Sequence, residues 1–441
     1  MSRQHSIFFW SITAALGGFL FGFDTAVISG VEQTLQQLWS LTPFQHGLTV
    51  SIALIGTVVG SFFGGIPADR LGRKKTLFWI AVSYLLSALG TALAHDWTLF
   101  LVFRFLGGLG VGASSVAAPM YITEISPARS RGKMVALFQF NVVFGILTAY
   151  ISNYFLQDIP QEAWRWMLGV QAFPALLFII TVLNIPESPR WLVLKKGRTA
   201  EALSILQIID PETAQQTLER ISDSQADTAQ RKPQLFSDQY KTPVMLAVLF
   251  ALFNQLSGIN AIIYYAPRIF EMTGLGKDSA LLSSAGIGLT NLIFTLLALN
   301  VIDRFGRRKL MLIGSVGLIV TLGLVARAFY LENFGMTVPV LLFVYIAFFA
   351  FSQGAVIWVF ISEIFPNEVR ANGQALGSFT HWIMAAIVAF SFPSIAAYLG
   401  GGNTFLFFSG MMLLQLLFVW KIMPETKGSS LEKIEPTVFA H

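Results

Sequence analysis

Two ionisable residues interrupt long apolar runs and are the first candidates for chemistry. Asp24 stands within Gly22-Phe23-Asp24-Thr25-Ala26, and Arg104 within Phe103-Arg104-Phe105-Leu106. At the centre of a bilayer such a charge costs at least about 2.5–3.5 kcal/mol on insertion scales, so it calls for a partner. One reading pairs the two. The arginine favours the ionised aspartate, separation or burial favours the protonated one, and the pair then links proton binding to conformation. The plainer reading puts both near an interface, snorkelling or structurally paired. A second group is Asn254, Gln255 and Asn260, three carboxamides within seven residues, followed by Tyr264, Tyr265 and Pro267. Amides donate and accept, as sugar hydroxyls do. In hydrocarbon they are costly unless they face a wet cavity or a polar ligand. Gln139, Asn291, Gln353 and His381 are further polar residues in apolar runs, and Trp358 and Trp382 offer flat faces for a sugar ring. Amides with aromatics, and no fixed counter-charge, favour a neutral polyhydroxylated ligand. For any single amide, a hydrogen bond between helices is the alternative.

These side chains need long apolar helices to carry them. Hydrophobic residues make up 54% of the chain and charged residues 12%, against about 25% charged in soluble domains. With about 20 apolar residues needed per crossing, the sequence predicts twelve spans, at 7–30, 46–68, 76–95, 98–122, 134–156, 166–185, 243–271, 279–302, 309–330, 338–361, 373–399 and 403–423. The first lacks a small-residue cleavage site and reads as a retained helix. Gly56, Gly60 and Gly64, and again Gly108 and Gly112, recur at the four-residue spacing that lets helix backbones approach closely. Gly258 and Pro267 permit local unwinding of the seventh span. The chain has no cysteine, which excludes disulfides and thiol catalysis.

The net charge is +5, but its placement matters more than its sum. With the N-terminus inside, 24 of the 29 basic residues fall in inner segments and four in outer ones, leaving Arg104 within a span. That bias predicts cytoplasmic termini. Basicity is then a matter of topology, and nucleic-acid binding is excluded. The predicted organisation is a bundle of six spans at 1–185, a cytoplasmic linker with short amphipathic helices at 186–241, and a second six-span bundle with a short tail at 242–441.

A charged turn is repeated across this hydrophobic chain. Asp69-Arg70-Leu71-Gly72-Arg73-Lys74-Lys75 recurs as Asp303-Arg304-Phe305-Gly306-Arg307-Arg308-Lys309, 234 residues later. Glu124 precedes Arg131 by seven residues, and Glu363 precedes Arg370 by seven. Internal duplication of this kind is typical of secondary transporters. Leu106-Gly107-Gly108-Leu109-Gly110, Pro186-Glu187-Ser188-Pro189-Arg190-Trp191-Leu192, Gln255-Leu256-Ser257-Gly258-Ile259-Asn260 and Pro424-Glu425-Thr426-Lys427-Gly428 complete the set. With these motifs, from about residue 7 to 428, the chain resembles the sugar porter family of the major facilitator superfamily.

The resemblance implies an all-α membrane protein, with twelve transmembrane helices in two pseudo-symmetric six-helix bundles and a sugar site at mid-membrane between the halves. Gln139, Gln255, Asn260, Asn291, Gly354 and Trp358 fall on positions that contact sugar in relatives. Phe21, Tyr265 and Trp382 fall on aromatic positions around the cavity. Asn254 stands where many members carry Gln, His381 replaces a polar amide beside Trp382, and Ala355 departs from the proline common after Gly354. Two roles stand for His381, titration near neutral pH and donation of a hydrogen bond, of which the second is favoured. Asp24 matches the aspartate of proton-coupled members, and Arg104 its usual partner. By resemblance, Glu124, Arg131, Glu363 and Arg370, with Arg70, Arg304 and Glu187, form cytoplasmic ion pairs that hold the inner side shut. The plainer reading is that they only enforce topology.

The expected function is import of a hexose or pentose by alternating access with a proton, by a monomer in a bacterial inner membrane, in contact with its lipid. No cofactor or metal is expected. A facilitative uniporter and a sodium-coupled symporter need the same fold. A non-transporting sugar sensor is the alternative of a different class, and it would call for a signalling tail longer than the dozen or so residues after Gly428. An enzyme is not expected, because no nucleophile–base set appears among so few in-span polar residues.

Overall fold

A computed structural model of the chain describes residues 3–127, 130–227, 235–332, 334–366 and 369–427. The tail from Gly428 and linker residues 228–234 lie outside the described residues. No strand occurs among the described residues. The chain forms two compact units, one of Met1–Val27, Ile55–Ala149 and Leu156–Lys232, the other of Ile28–Leu54, Tyr150–Phe155 and Pro233–His441.

The first helices in chain order are α1 (Arg3–Val27), α2 (Glu32–Leu38), α3 (Pro43–Phe63), α4 (Gly65–Leu71), α5 (Arg73–Leu93), α6 (Trp97–Ile125) and α7 (Arg131–Leu156). Then come α8 (Ala163–Gly169), α9 (Ala172–Leu183), the single turn α10 (Pro189–Trp191), α11 (Thr199–Ile209) and α12 (Ala214–Asp227). In the first unit α6 packs against α1 and α5, and α5 against α9. Asp96 starts α6 by accepting from the Leu99 amide at 2.9 Å, which satisfies one of the orphan donors of a helix N-terminus. The four-residue glycine spacing brings α3 and α6 together. A Cβ on Gly60 would sit 2.3 Å from the Leu109 carbonyl oxygen, and one on Gly112 2.2 Å from that of Thr57.

The remaining helices are α13 (Lys241–Leu256), α14 (Ile259–Met272), α15 (Lys277–Phe305), α16 (Arg307–Tyr330), α17 (Thr337–Phe349), α18 (Ala355–Glu363) and α19 (Arg370–Lys421). A π-helical segment, Ala350–Gly354, joins α17 to α18. The 52-residue α19 would extend about 78 Å if straight. Gly400 breaks it with φ +76, so its two arms supply the spans expected at 373–399 and 403–423.

Span seven is two helices, as its glycine and proline allow. Gly258 has φ +85, and a Cβ there would also meet Phe408 at 2.7 Å. Pro267 bends α14, leaving Tyr265 off-helical at φ −124, ψ 20. A proline removes the helix bond to the carbonyl four residues back. The carbonyl freed by Pro267 is that of Ile263, and the Tyr150 hydroxyl donates to it at 2.6 Å. Pro393 likewise frees Ala389, whose carbonyl accepts from the Tyr265 hydroxyl at 2.9 Å. Tyr265→Phe is therefore expected to destabilise the protein by about 1–3 kcal/mol, the cost of a buried acceptor left unsatisfied. Thermal unfolding of the purified protein checks this.

Eleven helices among the described residues are long and apolar enough to cross a membrane. Large apolar side chains such as Phe62, Trp79, Phe155, Phe173 and Trp420 are exposed, a surface that hydrocarbon can cover and water cannot.

Candidate functional site

In the first unit α1 carries Asp24 and α6 carries Arg104. Arg104 donates through Nη1 to Asp24 Oδ1 at 2.7 Å and through Nη2 to the Asp24 carbonyl at 3.3 Å. Both side chains are at most 2% exposed. Small residues make room for the pair. A Cβ on Gly107 would fall 2.4 Å from Ser87 Oγ and 3.7 Å from Asp24 Oδ1, and one on Gly22 would collide with the Val142 carbonyl of α7. The arrangement is a closed, buried charge pair, so loss of either partner strands the other. Gln171 lies against the Asp24 carboxylate, and the buried Tyr84 hydroxyl donates to the Gly17 carbonyl of α1 at 3.4 Å. Sequence reasoning missed both. The signal for Gln171 was a polar residue at the interruption between α8 and α9. Gln139 and Phe21, on α7 and α1, are half-buried.

In the second unit the carboxamides of the α13–α14 break form one chain. Gln255 Nε2 donates to Asn254 Oδ1 at 2.9 Å, and Asn260 Nδ2 donates to Gln255 Oε1 at 2.6 Å. The same Gln255 nitrogen lies 3.2 Å from His381 Nε2 and 3.3 Å from Nδ1. Asn254 reaches the Gln353 carbonyl at 3.4 Å. Trp358 and Trp382 flank His381, with ring centroids 4.9 and 4.8 Å away. Asn254, Gln255, Asn260, His381, Trp358 and Trp382 are thus one connected group. Trp358 is its exposed member, at 37%, and Gly354, half-buried, ends the π-helical segment four residues before it. Asn291, on α15, accepts from Thr295 at 3.4 Å. The Tyr265 hydroxyl is spent on Ala389, and its ring packs against Phe392 at 5.0 Å. The amides satisfy one another, yet each keeps donor or acceptor capacity that a hydroxyl-rich ligand can use.

The repeated charged turn builds the same network twice. Gly72 and Gly306, at φ +98 and +84, separate α4 from α5 and α15 from α16. The next residue opens the new helix and turns its guanidinium inward. Arg73 pairs with Glu124 through Nε at 2.9 Å and Nη2 at 3.0 Å, and with Asp69 at 3.2 Å. Arg307 pairs with Glu363 at 3.1 and 2.7 Å, and with Asp303 at 3.0 Å. Glu187 accepts from the amides of Arg73 and Lys74 at 2.8 and 3.1 Å, and Glu425 from those of Arg307 and Arg308 at 2.9 and 3.1 Å. The arginines that hold Glu124 and Glu363 are therefore Arg73 and Arg307, which sequence reasoning left out in favour of others. Arg70, Arg131 and Arg304 are exposed and have no carboxylate partner among the described residues. Arg370 donates to the Phe365 carbonyl at 3.1 Å. Glu425 was missed as the counterpart of Glu187, although Pro-Glu-Ser at 186–188 and Pro-Glu-Thr at 424–426 were its signal.

Burial raises the pKa of Glu187, opposed by the amides of Ser188, Lys74 and Arg73 and by the Arg73 charge. Its ionised form is thus disfavoured by desolvation while its oxygens are needed as acceptors. Glu187→Gln keeps an acceptor and removes the charge, so it is expected to cost less than Glu187→Ala, which strands amide donors and loses about 1–3 kcal/mol. Equal losses of melting temperature in the two variants would show that the charge itself, which both lack, carried the stability. Among the described residues no three His, Asp or Glu side chains are grouped as a metal ion would require.

Residues 10–438 match the family described as sugar (and other) transporters. The arabinose-proton symporter of Bacillus subtilis strain 168 is 39% identical, covering 99% of this chain and 96% of its own. The D-xylose-proton symporter of Escherichia coli strain K12 is 35% identical, covering 98% and 96%. The inward-open structure of the xylose transporter XylE from Escherichia coli matches with a TM-score of 0.87 at 34% identity, covering 97% of this chain and 99% of that one.

Proposed function

The chain belongs to the sugar porter family of the major facilitator superfamily, and we propose that it imports a pentose or hexose together with a proton, by alternating access. It is an integral membrane transporter and not an enzyme. The observation that carries the proton is the buried pair of Asp24 and Arg104 at 2.7 Å. A carboxylate in this position exchanges its arginine partner for a proton as its surroundings change, which ties protonation to conformation. The similar symporters for arabinose and xylose support the same reading. Substrate and proton bias the transport cycle only through different affinities for its states.

The sugar ligands are the amide chain Asn254, Gln255 and Asn260, with His381, Trp358 and Trp382 around it, and Gln139, Asn291, Gly354, Phe21 and Tyr265 as further contacts. His381 acts as a hydrogen-bonding partner, as its place beside Gln255 suggests. The charged networks of Glu124, Glu187 and Glu363 lie on the cytoplasmic side and stabilise one state of the cycle. Residues 1–185 and 242–441 form the two bundles and 186–241 the cytoplasmic linker. The protein works as a monomer, in a bacterial inner membrane, with both termini in the cytoplasm.

The test is proton movement itself. Adding xylose or arabinose to proteoliposomes in weakly buffered, sodium-free medium should make the outside medium more alkaline as sugar and proton enter together. Sugar entry with no pH change would sink the symport reading.

A further inference from the structure

Glu32 is a buried carboxylate outside every group described above. It opens α2 and has no exposed surface. Arg268 Nε donates to its Oε1 at 2.9 Å, and His46 Nε2 lies 2.5 Å from its Oε2. Arg268 also donates through Nη2 to Gln36 Oε1 at 2.5 Å. His46 is itself fully buried, with its ring 5.9 Å from that of Tyr265. One charge therefore ties three stretches that are far apart in sequence: α2, the first turn of α3, and α14. The residue next to Glu32, Val31, is fully buried as well. Beside this seam α3 also packs closely on α19, since a Cβ on Gly47 would sit 2.2 Å from the Phe390 carbonyl oxygen.

The position of this tie on α14 gives it a consequence. The helix starts at Gly258, whose left-handed φ of +85 interrupts the span. Asn260 stands beside that joint. Arg268 lies eight residues further on, just past the bend at Tyr265 and Pro267. A helix jointed at one end and tied at the other is held by the tie. Breaking a buried ion pair from one side leaves an uncompensated charge that is relieved only when water reaches it, so loss of the tie favours opening of the seam.

We propose that Glu32, seated by His46, is a latch on Arg268 that holds α14 against residues 28–54 and sets how often this seam opens. Glu32 and His46 are thus positioning residues. Their consequence for sugar, through Asn260, rests on the reading of Asn260 as a sugar ligand.

The natural absence of cysteine makes the test direct. Val31→Cys introduces a single thiol in the seam, and Ala81→Cys, on α5, a single thiol that is equally buried elsewhere. Maleimide labelling of the full-length purified protein in detergent is followed in each background. Glu32→Gln and Arg268→Met should each speed labelling at position 31 about tenfold or more, while Arg268→Lys, which keeps the charge, should stay close to the parent. Labelling at position 81 should not change. Unchanged labelling at 31, or equal acceleration at 31 and 81, would overturn the proposal, the second by showing general loosening. If Glu32→Gln does not fold, Arg268→Met decides, because the Arg268 side chain is 24% exposed. Labelling needs no sugar. Selective acceleration in a protein that binds neither arabinose, xylose nor glucose would leave the latch standing and remove the sugar reading alone.

Discussion

Asp24→Asn is expected to abolish uphill sugar accumulation while leaving counterflow exchange intact. The asparagine oxygen can still accept from Arg104 Nη1, now 2.7 Å from Asp24 Oδ1, so the fold survives better than with alanine. An amide cannot take up the transported proton. One elementary charge moving across 100 mV is worth about 2.3 kcal/mol, which corresponds to an accumulation of roughly fiftyfold. The variant should instead bring inside and outside sugar to about equal concentrations, its ratio unresponsive to the imposed gradient. Full accumulation by this variant would take the coupling role away from Asp24. Loss of exchange together with accumulation would mean that the substitution had damaged the translocation path.

Gln255→Ala is expected to weaken sugar binding by roughly ten- to a hundredfold, the equivalent of about 1–3 kcal/mol for lost and stranded hydrogen bonds. Gln255 is the middle link of the amide chain. It donates to Asn254 and accepts from Asn260, and its nitrogen faces His381. Removing it deletes its own bonds to a ligand and frees both neighbours from their present orientation. Titration of intrinsic tryptophan fluorescence is suited to the measurement, because Trp358 and Trp382 flank His381. Unchanged affinity in a folded variant would remove Gln255 from the site.

The amide cluster and the Asp24–Arg104 pair were legible because polar residues in a hydrocarbon-spanning run stand out against their neighbours. The break at residues 257–258 was legible from glycine and proline for the same reason. What the sequence hid was which charges meet. In each charged turn two arginines flank a glycine, and spacing alone does not say which faces inward. The φ of +98 at Gly72 and +84 at Gly306 decides it, by making Arg73 and Arg307 the first residues of new helices. The two uses of Pro-Glu, at 186–187 and 424–425, are a further sign of the duplication, but they sit in segments read as a linker and a tail. Glu32 and His46 were hidden differently. Glu32 lies between spans, where charges are ordinarily solvated, His46 stands at the very start of the second predicted span, and only the packing of α14 shows them to meet in a buried place. The last two expected spans, 373–399 and 403–423, fall on either side of Gly400, where the helix breaks before resuming.

The central claim is that sugar moves uphill at the expense of a proton gradient. It is tested most directly by uptake of labelled arabinose, xylose and glucose into proteoliposomes in sodium-free buffer, with and without an inward proton gradient. At least one of the sugars should accumulate above its external concentration when the gradient is imposed, and a protonophore should collapse that accumulation. Entry that stops at equal concentrations for every sugar, indifferent to the gradient, would contradict proton symport.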